Sequence, residues 1–157
     1  QAMVATNNFF SIETGDTGMF ATLLAGIYDW RTRILSYYSS GHNPGIVRRK
    51  DGSIETLAHG GIAMGVVILK EASSYTIQLY TGDTVVFYTD GVTEAHNEAH
   101  QLFTEERLID IIKNEGDQTA DELIKSIVDH VRVFAGKTPQ FDDITLLVMK
   151  VSSTSTP

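Results

Sequence analysis

The sequence predicts an α+β protein with a largely antiparallel sheet, and three observations carry that expectation. Short apolar or alternating stretches, separated by Gly, Asp and Pro turn signals, fill the chain up to Asp90. Two helical patterns with clear start and stop residues follow between Thr104 and Gly136. A last strand, Ile144 to Val151, completes an order of strands, helices and strand, which segregates the helices instead of alternating them with parallel strands.

Each element has its own signal. Met19 to Trp30 (MFATLLAGIYDW) reads as a long buried strand, although its pattern alone also permits a helix. Arg31-Thr32-Arg33 makes a turn and Ile34 to Ser39 returns, so the pair reads as a hairpin. The turn formers Gly41-His42-Asn43-Pro44-Gly45 precede a short strand at Ile46–Arg49, and Asp51-Gly52 is a second hairpin signal. Gly60 to Gly65 forms a glycine-rich loop, after which Tyr75, Ile77 and Leu79 alternate with polar residues as a half-buried strand does. Gly82-Asp83 turns the chain into Val85-Val86-Phe87-Tyr88, a central strand that delivers Thr89-Asp90-Gly91. Thr104, Glu105 and Glu106 open a helix whose apolar set Leu108, Ile111 and Ile112 runs to Gly116. Thr119 with Glu122 forms a capping box, after which Leu123, Ile124, Ile127, Val128, Val131 and Phe134 recur at helical spacing until Gly136.

Composition narrows the function classes. The 157 residues are 42% apolar and 20% charged, enough for one ordinary domain with a core; only the tail 152–157 reads as disordered. A net charge of −8 works against nucleic-acid binding, which depends on Lys and Arg neutralising phosphates. No cysteine is present, which removes disulfides, thiol nucleophiles and thiolate zinc sites. No apolar run approaches the roughly 18–20 residues of a membrane span, and no signal peptide is visible, so the expected location is cytoplasmic. A start at Gln1 suggests a piece of a longer protein.

Two acidic clusters sit at strand ends beside turns: Tyr88-Thr89-Asp90-Gly91-Val92-Thr93-Glu94 and Gln140-Phe141-Asp142-Asp143-Ile144-Thr145. A strand end holds a carboxylate firmly, and hard cations such as Mg²⁺ and Mn²⁺ favour oxygen ligands. Asp-Gly is equally an ordinary turn pair, and Asp before a strand is ordinary solvated punctuation. Asp90 and Asp142 are 52 residues apart, so only the fold decides whether they meet. His42 reads first as a loop-shaping hydrogen-bonding residue, Asp83 as a turn residue, and Glu94 as the approach to a helix. His96 and His100 read as a solvated loop, and Arg48 and Arg49 as cations without a specified partner.

Four segments in order resemble the SpoIIE/RsbU branch of the metal-dependent (PPM) serine/threonine protein phosphatases. They are GMFATLLAGIYD at Gly18–Asp29, SGHNPGIV at Ser40–Val47, GDTVVFYTDGVTEAHNE at Gly82–Glu98 and QFDDITLLVMK at Gln140–Lys150. Phe103 with Glu106-Arg107-Leu108 also fits the helix after the Asp-Gly-Val motif. The resemblance covers nearly the whole chain and implies the C-terminal part of an αββα-type domain, residues 1–151, in which an antiparallel β-sandwich is flanked by helices. It implies that Asp90 and Asp142 are metal ligands, and that Gly91, Asp143 and His42 stand behind them; Asp143 matches a position often held by Asn. The implied cofactors are Mn²⁺ or Mg²⁺, two ions in the complete domain, which activate a water that attacks a phosphoserine or phosphothreonine. The implied partner is a phosphorylated protein, in this branch usually an anti-sigma-factor antagonist, in a bacterial signalling protein.

The branch's first metal motif, a strand-end Gly-Asp upstream of the Met19 strand, has no counterpart in the residues before Met19, and Gly15-Asp16-Thr17-Gly18 fits it poorly. The sequence therefore leads to the expectation that the N-terminal strands and the bridging ligand lie outside this chain. Alone, it is expected to bind metal weakly and hydrolyse little, and to expose strand edges that favour a homodimer. A non-catalytic regulatory or interaction domain is the alternative. A haloacid-dehalogenase-type phosphatase is excluded, because Tyr88 occupies the place of its nucleophilic Asp.

Overall fold

A computed structural model describes residues 1–15, 17–57 and 60–153, so Asp16 of the Gly15–Gly18 motif and residues 154–157 of the tail lie outside the described residues. The chain divides into two compact units, Gln1–Pro44 with Ala58–Leu79 and Gly45–Leu57 with Tyr80–Pro157. Both contain an antiparallel sheet and at least one helix, as expected of an α+β chain.

The first unit holds helix α1 (Ala2–Thr14) and a three-stranded sheet of β1 (Leu23–Asp29), β2 (Ile34–Ser40) and, near the end of the unit's chain, the strand Tyr75–Gln78, in that spatial order. The β1–β2 hairpin pairs Asp29 with Ile34, and its turn is fixed by Arg33 N–H donating to Asp29 O at 2.7 Å. Asp29 Oδ1 also accepts from Arg31 N–H, which holds its carboxyl below the ordinary range. β1 begins four residues later than the apolar run suggested and is not buried: Met19 is 60% and Ile27 is 77% exposed. An apolar run reports hydrophobicity but not which side of a strand finds a partner.

Helix α1 has no counterpart in the sequence reading. Its apolar residues lack helical spacing, and it contains Asn and aromatic residues of weak helix propensity. Two asparagine side chains tie it down instead. Asn7, the buried residue of the helix, donates to Val67 O at 2.8 Å, while Asn8 both donates to Leu69 O and accepts from Leu69 N–H, each at 2.8 Å.

The second unit is built on a four-stranded antiparallel sheet. Its strands are β3 (Gly45–Arg48), β4 (Ile54–Leu57), β6 (Thr84–Tyr88) and β7 (Leu146–Lys150), β5 being Tyr75–Gln78 of the first unit, and their spatial order is β4-β3-β6-β7. Three helices accompany it: α2 (Asp90–Thr93), α3 (Glu105–Glu115) and α4 (Ala120–Ala135). The apolar stripes of α3 and α4 supply Leu108, Ile112, Leu123, Ile127 and Val131 to a core completed by Ile46, Val86, Tyr88, Val92 and Phe103. Each such side chain contributes about 1.5–3 kcal/mol when fully buried, so this cluster dominates the stability of the unit.

The polar fixtures of the unit answer groups that burial would otherwise leave unpaired. The capping box at α4 is formed as expected: Glu122 N–H donates to Thr119 Oγ1 and Thr119 N–H to the Glu122 carboxylate. Arg48, 5% exposed, donates to Lys113 O and pairs with Asp117, while Lys150 Nζ and Thr84 Oγ1 donate to Gly116 O. These donors satisfy carbonyls at the C-terminal end of α3. Position 116 must be glycine, because a Cβ there would lie 2.2 Å from Arg48 Cδ. Asp83 is more than a turn residue: it is buried and accepts from Arg49 Nη1 at 2.7 Å, Tyr80 N–H at 3.0 Å and Lys50 N–H at 3.2 Å. Both arginines that the sequence left without a partner thus find acids within the chain.

Removing Asp83 takes one carboxylate from the half-buried Arg49 guanidinium, which keeps its two bonds to Glu55, and leaves the Tyr80 and Lys50 backbone donors without this buried acceptor. Asp83→Ala is expected to lower stability by about 3 kcal/mol, seen in urea unfolding as a lower midpoint at unchanged slope; a midpoint within error of the parent would contradict the buried-pair assignment. The Glu122 carboxylate is held below its ordinary value by the Thr119 backbone N–H and then its hydroxyl. A depressed folded-state pKa stabilises above the unfolded value and is lost as pH falls through the folded one. The stability difference between parent and Thr119→Ala should therefore be full near neutrality and shrink below about pH 4, as read from unfolding curves across that range.

Candidate metal centre

Strand pairing brings the two acidic segments together. β6 and β7 run antiparallel from Thr84↔Lys150 to Tyr88↔Leu146, so the exit of β6 and the entry of β7 lie at one end of the sheet. Beyond the last ladder pair, Thr89 continues the zipper. Its backbone N–H donates to Thr145 O at 3.1 Å, its Oγ1 donates to Asp143 O at 2.8 Å, and the same oxygen accepts from Thr145 N–H at 2.9 Å. Asp90 follows directly as the first residue of α2, whose single turn closes through Glu94 N–H donating to Asp90 O.

The contact is tightest at Gly91. A Cβ at that position would lie 2.5 Å from Asp143 O and 3.2 Å from Asp142 O, so only glycine lets the two backbones approach this closely. On the facing segment, Asp142 Oδ1 accepts from Asp143 N–H at 2.7 Å and Gln140 Nε2 donates to Asp142 O at 2.8 Å. Asp90, Asp142 and Asp143 are all exposed, and the salt bridges among the described residues engage other acids.

Four of the five residues singled out from the sequence are thus gathered in one place: Asp90, Gly91, Asp142 and Asp143. His42 belongs to the other compact unit, where its Nδ1 lies 2.9 Å from Thr22 Oγ1 in a loop-shaping bond. His96 and His100 stack at 6.0 Å in a turn organised by Asn97, which accepts from Ala99 and Gln101 N–H. Thr89 carries no signal in the sequence beyond its place in the motif. No spacing rule signals a hydroxyl that bridges two positions 54 and 56 residues away.

The donors fit a hard divalent cation: carboxylate oxygens on rigid strand ends, unclaimed by any Lys or Arg among the described residues. They are a partial set. Among the described residues no three His, Cys, Asp or Glu side chains converge as a metal site would require. No helix of the described residues is long and apolar enough to cross a membrane.

Comparison with known proteins identifies the family and the fold. Residues 1–152 match the sequence profile of the family described as Stage II sporulation protein E (SpoIIE). The chain is 28% identical over 151 residues to Protein IcfG of Synechocystis, covering 94% of this chain and 23% of that protein. It is 29% identical over 139 residues to the phosphoserine phosphatase RsbU of Bacillus subtilis, covering 86% of this chain and 40% of that protein. The chain therefore spans less than half the length of these curated relatives. The solved PP2C domain of SiaA from Pseudomonas aeruginosa superposes with a TM-score of 0.68 at 24% identity, over 76% of this chain and 47% of that one, a likeness of fold.

The close approach at Gly91 gives a direct test. Gly91→Ala is expected to cost about 1–3 kcal/mol by overpacking and to weaken Mn²⁺ binding by displacing the Asp142–Asp143 backbone. Urea unfolding and calorimetric titration with Mn²⁺ read the two effects; an unaltered chain in both would remove the contact from the account.

Proposed function

The chain belongs to the SpoIIE family, and from that premise we propose that it forms the C-terminal, metal-ligating part of a metal-dependent serine/threonine protein phosphatase domain. The observation that carries the proposal is the β6–β7 register, which sets Asp90 and Asp142 on adjoining segments at one end of a sheet. Asp90 and Asp142 are the residues that hold Mn²⁺ or Mg²⁺. Asp143 and Gly91 support them: Asp143 N–H fixes one Asp142 oxygen, and Gly91 sets the separation of the two strand ends. When bound, such ions lower the pKa of water and neutralise charge on the phosphoryl group, so no protein nucleophile is required. The chain's own part is to hold two carboxylates on a backbone that Thr89 locks from both sides.

Similarity to a protein named for phosphoserine hydrolysis supports a phosphoserine or phosphothreonine protein as substrate. By the resemblance of its motifs to the branch, that protein is an anti-sigma-factor antagonist and the setting is cytoplasmic signalling. Two carboxylates on adjoining segments do not complete a two-ion site, so further ligands come from residues other than those described. The 157-residue chain by itself binds Mn²⁺ weakly and hydrolyses little.

The test uses the whole protein that carries this chain. Its Mn²⁺-dependent hydrolysis of a phosphoserine peptide should fall at least about 100-fold in Asp90→Asn and in Asp142→Asn, and about tenfold or less in Asp143→Asn. Full activity in either of the first two variants refutes their ligand roles. A parent protein that binds Mn²⁺ but never turns over the peptide points instead to a regulatory module.

A further inference from the structure

A cavity of about 160 Å³ lies between the C-terminal turns of α4 and the segment after it, and the metal-centre reading makes no use of it. Its apolar walls are Ala95, Val131, Ala135, Pro139, Phe141 and Ile144. Gly91 and Gln140 also line it, so it is built from the same chain segments that present Asp90 and Asp142. All of these residues belong to one compact unit.

Two further observations point to an occupant. Thr138 lines the cavity, and its Oγ1 is buried with no hydrogen-bond partner among the described residues. A buried hydroxyl left unpaired is costly, so an occupant whose entry lets the Thr138 side chain turn its Oγ1 to a partner gains by it. Phe141, directly before Asp142, is 73% exposed, with its ring held edge-on to His96 at 5.9 Å. Phe141 is thus exposed beside the apolar recess and is not part of the core. The volume is apt as well: an apolar cavity of about 150 Å³ accepts a benzene-sized group.

We propose that this cavity is a specificity subsite for the protein substrate. It receives an apolar side chain, of leucine or phenylalanine size, from within about three residues of the phosphorylated Ser or Thr, a reach of about 10 Å of extended chain. Thr138 Oγ1 hydrogen-bonds the backbone of the peptide beside that side chain, and Phe141 packs over it. The inference rests on the phosphatase reading of Asp90 and Asp142, and it adds the substrate's local sequence to it.

The test is a binding measurement on the full 157-residue chain, labelled with ¹⁵N. The probes are phosphoserine heptapeptides carrying one Leu at one, two or three residues from the phosphoserine, compared with the all-Ala peptide. At least one Leu peptide should bind about tenfold more tightly than the Ala peptide and shift the amides of Ala135, Thr138 and Phe141. Ala135→Leu, which fills the cavity, should abolish that preference. Thr138→Val removes the unpaired hydroxyl, so it should raise the melting midpoint of the free chain yet weaken the Leu peptide several-fold, a combination that a purely structural threonine would not give. Absence of any Leu preference, or its persistence in Ala135→Leu, overturns the subsite. Hydrolysis by the whole protein reports separately: turnover without a Leu preference sinks the subsite alone, whereas a Leu preference without turnover leaves a peptide-binding cavity but overturns the phosphatase reading and, with it, the cavity's role as a substrate subsite.

Discussion

The register between β6 and β7 is the constraint on which the second unit's chemistry depends. Side chains alternate along a strand, so a slip of one residue would exchange the buried and exposed faces. Val86 and Tyr88 are held in the core with Leu146 and Val148 packed beside them, and that burial makes a slip expensive. Once the core has chosen the register, Tyr88 faces Leu146 and the chain on either side has no freedom to separate. Two acids far apart in sequence become neighbours because hydrophobic residues several positions away cannot move.

Local polar contacts then convert nearness into a defined geometry. Thr89 acts as one more rung of the ladder, offering its hydroxyl where a backbone group would otherwise serve, and Gly91 admits the facing backbone at a distance no side chain tolerates. Similar substitutions of side chain for backbone recur elsewhere: Asn7 and Asn8 secure α1, Asp83 gathers a guanidinium and two amides, and Arg48 closes the end of α3. The acids proposed as ligands are exposed and have no Lys or Arg partner among the described residues. That contrast between Asp83, buried and paired, and Asp90 and Asp142, presented outward, separates structural carboxylates from available ones.

Much of this fold is legible in the sequence. The β1–β2 and β3–β4 hairpins, the central β6 and the two long helices follow from turn pairs, alternation and caps, since those signals act within a few residues of the element they specify. Helix α1 was not legible, because its anchors are hydrogen bonds to a segment about 60 residues away and its apolar residues have no period. β1 was overextended because Met19 and Phe20 are apolar but exposed. The two acidic clusters were visible as motifs, yet their meeting rested on family resemblance, and the contact between Gly91 and Asp143 depends on a register that no short window encodes. The cavity beside Thr138 was invisible for the same reason: its walls come from two stretches of chain, 91–96 and 131–144, that only the fold brings together.

The central claim is that Asp90 and Asp142 together hold a divalent cation, and paramagnetic relaxation by Mn²⁺ tests it most directly because weak binding suffices. Substoichiometric Mn²⁺ added to the ¹⁵N-labelled chain should broaden the amides of Asp90, Gly91, Asp142 and Asp143 first, with recovery on addition of a chelator. Broadening centred instead on the acidic groove of Glu115, Glu122 and Asp129, or spread evenly over the surface, would contradict the account.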